Sequence, residues 1–213
     1  MHLIHRGIVN NYFKENLLKS FNQSFKRGYG IETDIHATKD NEFICFHDFT
    51  LKRIFKKNLC VKNLNYSKIN EIGIKFGKPI PLLKDMLKAS KNKYPLFIEI
   101  KPNFSKSLLE KLIKETSNFT KCVFISFKHK NISNLLKIKK STKVGLSFAL
   151  PTSVKKIIKK SNDKNIDCLI LDKFYLNNKK IQSLKIKKYY YTIRTKLEFN
   201  SYKENNNLIF ENL

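Results

Sequence analysis

The sequence predicts an α/β protein folded as a (β/α)₈ TIM-type barrel that is shortened at its C-terminus. Short apolar runs alternate with amphipathic stretches along the chain, which is typical of parallel strands joined by crossover helices. About eight such units follow one another, and this number favours a closed barrel over an open sheet. The chain has 213 residues, fewer than the ~250 typical of this fold. Because the last predicted strand lies near the C-terminus, we expect the eighth helix to be missing or supplied otherwise.

The strand predictions depend on short apolar runs that are bounded by polar or turn-forming residues. The run at Glu42–His47 is interpreted as a short excursion after the second strand, which makes Leu96–Lys101 the third strand of the barrel. The predicted strands are Leu3–His5, Gly30–Ala37, Glu42–His47, Leu96–Lys101, Cys122–Ser126, Val144–Phe148, Cys168–Leu171, Tyr189–Ile193 and Leu208–Phe210.

Helical periodicity fills most of the intervals between these strands. Ser105 precedes one apolar-periodic stretch and is expected to cap it. Pro151 opens another stretch and Pro81 lies just before a third, as proline favours helix N-termini. The predicted helices are Glu15–Arg27, Leu82–Ser90, Lys106–Thr116, Ile132–Lys140, Thr152–Ser161 and Asn178–Leu184.

The chain is strongly basic, with 43 Lys and Arg against 17 Asp and Glu and a formal net charge of +26. Only four of these cations are Arg, whereas 39 are Lys, and they are spread evenly along the chain. Proteins that read nucleic-acid bases favour Arg for its bidentate hydrogen bonds. We therefore interpret the charge as a solvated surface and predict no specific nucleic-acid partner. The field still attracts anions and permits weak electrostatic association with membranes.

Signals of membrane-spanning, secreted, zinc-ribbon and nucleotide-binding proteins are missing from the sequence. No apolar run approaches the ~18 residues of a membrane span, and polar His5–Arg6 leaves no room for a signal peptide. The four cysteines form no CxxC pair, which favours core packing in a reducing compartment. Neither GxGxxG nor GxxxxGK[ST] occurs. We expect a single domain over residues 1–213 and a cytoplasmic location.

Polar residues stand at the ends of predicted strands in the first half of the chain, and this fold places catalytic groups at the carboxyl ends of its strands. The first strand ends in His5–Gly7. Glu32, Asp34 and His36 occupy alternate positions of the second strand, so their side chains share one face.

The excursion and the third barrel strand add further polar groups. The excursion ends in His47–Asp48, and Glu99 and Lys101 share a face of the next strand. A carboxylate in an apolar strand needs a cation to remain ionised. Glu32, Asp34 and Glu99 together offer hard oxygen ligands without thiolates, which favours one divalent cation, Mg²⁺ or Ca²⁺, over zinc.

Two histidines and two fixed cations complete this predicted site. His5 and His47 lie at separate strand ends and are suited to act as general acid and general base. Arg6 and Lys101 are placed to hold anionic oxygens. A divalent cation, two imidazoles and two cationic side chains together favour hydrolysis of a phosphodiester.

Six ordered segments within the first 101 residues match one known family. The segments are His5–Gly7, Glu15–Asn16, Gly30–Asp40, His47–Arg53, Ile80–Leu83 and Ile98–Lys101. In sequence and spacing the chain resembles the glycerophosphodiester phosphodiesterases, relatives of the phosphatidylinositol phospholipase C-type barrels. That resemblance implies metal-dependent hydrolysis of a glycerophosphodiester to sn-glycerol 3-phosphate and an alcohol. The roles it implies are metal binding by Glu32, Asp34 and Glu99, acid–base catalysis by His5 and His47, and phosphate contact by Arg6 and Lys101.

The second half of the chain matches the family weakly. Phe124–Phe127 resembles the family's fourth strand. Tyr191–Arg194 stands where the family usually has Trp-Thr-Val-Asn, and Leu208–Asn212 stands where it has an Ile-Ile-Thr-Asp-like ending. These departures concern the wall and rim of the pocket, so the alcohol specificity stays open.

Other functions stay open beside hydrolysis of soluble diesters. Lysophospholipase D-type cleavage of lysolipids at membrane surfaces keeps the same site and changes the substrate. A catalytically decayed barrel would bind anions without turnover, and binding of nucleic acid through Lys would be blind to base sequence.

Several residues near the predicted site have two interpretations. Glu15–Asn16 either begins the first helix or supports the site. His36 is interpreted as a packing or supporting residue, and Asp48 as a residue that orients the neighbouring loop.

Overall fold

Eight parallel strands close into a barrel in the computed structural model, which describes residues 1–211. The nine strands of the described chain are β1 Leu3–His5, β2 Gly30–Ala37, β3 Phe43–Cys45, β4 Leu96–Ile100, β5 Cys122–Ser126, β6 Val144–Phe148, β7 Cys168–Asp172, β8 Lys187–Ile193 and β9 Asn207–Phe210. Around the barrel the order is β1, β2, β4, β5, β6, β7, β8 and β9, and β9 pairs with β1 to close it.

Strand β3 lies outside the barrel, which confirms the interpretation of this segment as an excursion. It pairs antiparallel with the carboxyl half of β2, with Ile35 opposite Cys45 and Ala37 opposite Phe43. The Phe46 amide then donates to the Asp34 carbonyl at 3.0 Å. The chain therefore returns to the end of β2 immediately before His47.

Helices join the successive barrel strands, as the alternating pattern predicted. The helices are α1 Leu18–Lys26, α2 Lys52–Phe55, α3 Tyr66–Lys75, α4 Leu83–Ser90, α5 Lys106–Glu115, α6 His129–Ile138, α7 Val154–Ser161, α8 Lys179–Gln182 and α9 Lys196–Tyr202. Ser105 caps α5 by accepting a hydrogen bond from the Leu108 amide, as expected. None of the helices in residues 1–211 combines the length and apolar character that crossing a bilayer requires.

Three helices were not predicted, because the segments that form them carry weak periodic signals. Helices α2 and α3 belong to the excursion between β3 and β4, where they pack over a small apolar cluster that includes Phe55 and Ile69. Helix α9 has no buried residue and begins at a cap in which Thr195 accepts from the Glu198 amide. Within the described chain only Glu211 follows β9, and the predicted Asn212 lies outside the described residues.

Two apolar layers hold the barrel together, one on each face of its strands. On β4, Leu96, Ile98 and Ile100 face the surrounding helices, whereas Phe97 faces the barrel interior beside Tyr189. Because side chains alternate along a strand, the next interior position after Phe97 is Glu99. The interior is therefore apolar toward the amino ends of the strands and becomes polar at their carboxyl ends.

Candidate active site

The turn after β1 places Arg6 against the end of the neighbouring strand. Arg6 and Gly7 both have left-handed backbone conformations, with φ of 58° and 76°. A Cβ at Gly7 would come within 3.0 Å of the Phe21 ring and the Ser20 backbone, so this position requires glycine. The Arg6 amide donates to the Glu32 carbonyl at 2.7 Å. The turn thus directs the guanidinium over the carboxyl end of β2.

Three carboxylates meet at this end of the barrel. Glu32 and Asp34 share a face of β2, and Asp34 pairs in register with Glu99 of β4. All three residues are buried. One oxygen from each lies within 4.8 Å of the other two. This is the cluster that the alternating positions in the sequence predicted.

Two cations are in contact with this cluster. Arg6 Nε lies 3.0 Å from Asp34 Oδ2. Lys101 Nζ lies 2.8 Å from Glu99 Oε1 and 3.3 Å from Asp34 Oδ1. No hydrogen-bond donor of residues 1–211 reaches Glu32 Oε2, which is buried. Three carboxylates and two cations leave one negative charge without a partner here.

The pKa values of the three carboxyl groups are pushed apart by this imbalance. Burial, together with Asp34 and Glu99, raises the pKa of Glu32 well above its ordinary value. Burial and the nearby Asp34 raise the pKa of Glu99 to about 7. Burial opposes ionisation of Asp34 too, but Arg6 and Lys101 outweigh it and lower that pKa to about 2. A divalent cation fits this cluster, because hard oxygen ligands are present and one buried charge is unpaired.

His5, at the end of β1, is held by a residue that follows the neighbouring strand β9. Its Nδ1 lies 2.7 Å from Glu211 Oε2, directly after β9. The other oxygen of Glu211 accepts from Arg194 Nε at 2.6 Å. His5 Nε2 is directed inward, 3.8 Å from Glu32 Oε2. One ring nitrogen of His5 is therefore fixed by a carboxylate, and the other faces the acidic cluster.

His47 has a similar arrangement on the other side of the cluster. Its Nδ1 lies 2.6 Å from Asp48 Oδ1, and Arg53 Nε donates to Asp48 Oδ2 at 2.6 Å. Arg53 also bonds both oxygens of Glu15, at 2.6 and 2.9 Å. Glu15 in turn contacts Arg6 at 3.3 Å. Burial lowers the pKa of His47, with Asp34 opposing that shift.

Two further buried residues support the site from behind. His36 Nε2 donates to the His47 carbonyl at 3.1 Å, and burial lowers the pKa of His36 to about 4. A neutral His36 thus holds the backbone of His47. Asn16 lies 3.4 Å from Asp34 Oδ2 through its amide nitrogen and accepts from the Thr33 hydroxyl at 2.8 Å. Of the two interpretations of Glu15–Asn16, contact with the site is the one that the structure supports.

Aromatic side chains form the opposite wall of the barrel mouth. Tyr191, at the position where the family usually has Trp, donates from its hydroxyl to the Phe148 carbonyl at 3.0 Å. The ring of Phe127 lies 5.9 Å from that of Tyr191, nearly perpendicular to it. Lys101 Nζ lies 6.0 Å from the centre of the Phe127 ring. The mouth is therefore polar on one side and aromatic on the other.

Comparison with known proteins identifies the family. A model of the glycerophosphoryl diester phosphodiesterase family matches residues 5–205, nearly the whole chain. The chain belongs to the glycerophosphoryl diester phosphodiesterase family. This confirms the resemblance that the first 101 residues indicated.

Relatives in this family match parts of the chain. A glycerophosphodiester phosphodiesterase of Caldanaerobacter subterraneus subsp. tengcongensis is 30% identical over 161 residues, which are 68% of this chain and 65% of that protein. Lysophospholipase D GDPD1 of Homo sapiens is 32% identical over 134 residues, 56% of this chain and 40% of that protein. The matched regions thus span less than two thirds of either relative.

Solved structures confirm the barrel fold of this family member. The glycerophosphodiester phosphodiesterase of Thermotoga maritima superposes with a TM-score of 0.82 at 20% identity, covering 98% of this chain and 92% of that one. An Oleispira antarctica phosphodiesterase in complex with the product sn-glycerol-3-phosphate superposes with a TM-score of 0.83 at 16% identity, covering 99% and 92%.

The structure brings the seven predicted site residues of this family member to one end of the barrel. The polar strand ends are not confined to the first half of the chain, so the prediction from sequence was incomplete. Glu211, at the end of the last strand, contacts His5, and Arg194 contacts Glu211. Both stand at a strand end, so the rule applied to the first strands also selects them. Arg53, the last residue of the matched segment His47–Arg53, bonds Asp48 and Glu15 from helix α2 and does not stand at a strand end.

Proposed function

We propose that this chain hydrolyses glycerophosphodiesters to sn-glycerol 3-phosphate and an alcohol, with residues 1–213 acting as one catalytic domain. The observation that supports this most strongly is the buried cluster of Glu32, Asp34 and Glu99 with His5 Nε2 directed toward it. Membership of the family supports the same reaction class. The side of the mouth that would hold the phosphate carries the charged side chains of Arg6 and Lys101 beside the acidic cluster.

In this proposal Arg6 and Lys101 hold the non-bridging oxygens of the phosphate. Both side chains are mostly buried and carry their charge beside the acidic cluster, where Asp34 raises the pKa of each against the effect of burial. Charge-assisted hydrogen bonds from such fixed donors are stronger than neutral ones. Because the donors are already ordered, little reorganisation is needed when charge develops on phosphorus.

Glu32, Asp34 and Glu99 would hold one divalent cation, Mg²⁺ or Ca²⁺, in this proposal. The unpaired Glu32 Oε2 and the raised pKa values of Glu32 and Glu99 support it, since a nearby cation would favour their ionised forms. When bound, a divalent cation offsets negative charge on phosphate oxygens. The ligand set contains no thiolate and no histidine.

His5 and His47 accept and donate the protons of the reaction. Each has Nδ1 bound to a carboxylate, Glu211 for His5 and Asp48 for His47. Each therefore keeps Nε2 for the substrate. One imidazole removes a proton from the nucleophile, either water or the neighbouring glycerol hydroxyl, and the other donates a proton to the leaving alcohol. Water attack gives sn-glycerol 3-phosphate directly, whereas the cyclic phosphate formed by the glycerol hydroxyl is opened by water to the same product. The two Nδ1 partners keep both rings oriented during that exchange.

A coupled assay for sn-glycerol 3-phosphate tests this function. We expect purified protein to release it from glycerophosphocholine or glycerophosphoethanolamine when Mg²⁺ or Ca²⁺ is present, and to stop when a chelator is added. His5→Ala and His47→Ala should each lower kcat by about 10²–10⁴-fold. His129→Ala is the matched control, because His129 lies after β5 and donates to the Ser147 carbonyl, away from the acidic cluster. Binding of sn-glycerol 3-phosphate without any turnover would instead indicate a decayed barrel.

A further inference from the structure

Large apolar side chains are exposed mainly at one end of the barrel. Residues 1–211 expose ten of them. Six lie in the segments that follow strands at the catalytic end, and we call these six the mouth rim: Tyr12, Phe49, Phe127, Leu150, Phe174 and Leu197. Three of the other four lie farther along the excursion between β3 and β4, which also contains Phe49.

The opposite end of the barrel lacks such a ring. Among the described residues, only Met1 is a large apolar side chain exposed in a segment that leads into the amino end of a barrel strand. Single exposed apolar residues are normal on a protein surface and need no explanation. An even scatter would, however, give both ends of the barrel similar numbers. The asymmetry therefore marks the catalytic end as a contact surface.

Some members of the mouth rim expose most of their side-chain surface to solvent. Phe174, directly after β7, is 74% exposed, and Leu197, in the first turn of α9, is 79% exposed. Phe49 is half exposed, and its ring lies 5.0 Å from that of His36, which places it at the catalytic end. Five of the six rim residues follow different barrel strands, and Phe49 follows β3. The rim residues therefore surround the mouth and do not line one groove.

Positive charge accompanies the rim. Lys14, Lys128 and Lys196 are exposed, lie within two residues of a rim side chain, and form no ion pair within residues 1–211. At this end Glu211 pairs with Arg194 and Glu198 pairs with Lys173, whereas Asp172, two residues before Phe174, forms no ion pair within residues 1–211. The three unpaired lysines therefore outnumber the unpaired carboxylate beside the rim.

We propose that the mouth rim docks this barrel onto an anionic lipid surface. Apolar tips that surround an opening and alternate with unpaired lysines match the boundary between acyl chains and anionic headgroups. A second copy of this chain fits poorly, because its charge of +26 repels it. Docking in this orientation points the catalytic cluster at the membrane. The proposal goes beyond the proposed function and does not depend on turnover.

Sedimentation of the full chain with lipid vesicles tests the proposal. We expect it to sediment with vesicles of phosphatidylcholine plus phosphatidylglycerol, to remain in solution with phosphatidylcholine alone, and to be released by salt. The double variant Leu150→Ser with Phe174→Ser should bind the anionic vesicles about tenfold more weakly, since apolar insertion contributes to such binding. Ile74→Ser, on α3 and 60% exposed, is the apolar control and should bind like the parent.

A second pair of variants separates a specific face from general charge. Lys128→Glu with Lys196→Glu at the mouth should weaken vesicle binding about fivefold or more per lysine. Lys121→Glu with Lys185→Glu makes the same change of net charge at the amino ends of β5 and β8, and we expect it to have little effect. Equal losses from both pairs, or unaltered binding by the apolar double variant, would overturn the proposal.

Turnover of soluble glycerophosphocholine is measured on the same proteins. None of the substituted residues belongs to the catalytic cluster, so we expect the rim variants to keep the parental rate and the parental thermal midpoint. Weak vesicle binding with unchanged turnover supports docking. If every protein binds vesicles as expected and none turns over the diester, the proposed function fails and the docking surface stands. If the chain captures acidic proteins and ignores anionic vesicles, the surface serves a protein partner and the lipid proposal is wrong.

Discussion

His5 Nδ1 lies 2.7 Å from Glu211 Oε2, so one hydrogen bond joins the first and last strands of the barrel at the end that holds the acidic cluster. Arg194 holds the other oxygen of Glu211 at 2.6 Å. His47 and Asp48, held by Arg53, repeat the arrangement across the mouth. Each imidazole is thus backed by a carboxylate that is itself fixed by an arginine.

Glu211 is predicted to position His5 for catalysis. A positioned acid or base accelerates a reaction by about 10²–10⁴-fold. Because Glu211→Ala would remove only part of this effect, we expect it to lower kcat by about tenfold to a hundredfold. Glu211→Asp should recover part of the loss, and KM should change little because Glu211 does not face the phosphate. Steady-state kinetics on glycerophosphocholine measures both constants. A rise in KM alone would contradict a positioning role.

Stability in acid is expected to depend on the same residue. The hydrogen bond from His5 and the charge of Arg194 lower the pKa of Glu211 to about 2, against the effect of burial. Since the folded pKa lies below the unfolded one, the stabilisation is complete above about pH 4.5 and is lost as the pH falls toward 2. Glu211→Gln should therefore be less stable than the parent near neutral pH, and the difference should shrink in acid. Denaturant unfolding at several pH values checks this.

The metal-free acidic cluster is expected to lose stability as the pH rises. Glu99 has a pKa raised to about 7, and the pKa of Glu32 is raised as well. The folded state then binds more protons than the unfolded state above about pH 4.5, so the free energy of unfolding falls with rising pH. Adding Mg²⁺ or Ca²⁺ should raise the thermal midpoint and release protons.

Calorimetry in two buffers of different ionisation enthalpy measures that proton release. Glu32→Gln should bind the cation more weakly, because it removes one of the three carboxylates. Glu42→Gln is the matched control, since Glu42 pairs with Lys84 and Lys111 outside the cluster. An unchanged thermal midpoint on addition of either cation would argue against a metal site here.

Tyr190 provides a test of packing that is independent of catalysis. Its side chain is fully buried, and its hydroxyl has no hydrogen-bond partner within residues 1–211. Removing an unsatisfied buried hydroxyl is favourable, so Tyr190→Phe should raise the free energy of unfolding by about 1 kcal/mol. Tyr175→Phe should lower it by about 1 kcal/mol, because the Tyr175 hydroxyl donates to the Thr152 carbonyl. Chemical denaturation of both variants compares them, and a loss in Tyr190→Phe would contradict the assignment.

Most of the barrel could be predicted because its strands are short, apolar and buried on both faces. Leu3–His5, Gly30–Ala37 and Val144–Phe148 agree with the structure at both ends. Helix α9 was not predicted, since it buries no residue and depends on its Thr195 cap. Burial leaves a signal in composition, whereas a short exposed helix leaves little.

The sequence by itself determined the barrel class and the acidic cluster. Alternation along one strand places Glu32 and Asp34 on one face whatever surrounds them, and neighbouring parallel strands bring Glu99 beside them. Only the tertiary structure decided the partner of His5, because Glu211 is 206 residues away in the sequence. Such a contact exists only once β9 closes against β1. Arg194 reaches Glu211 through the packing of the last strands, which local sequence patterns do not encode, whereas Asp48 and Arg53 lie within six residues of His47.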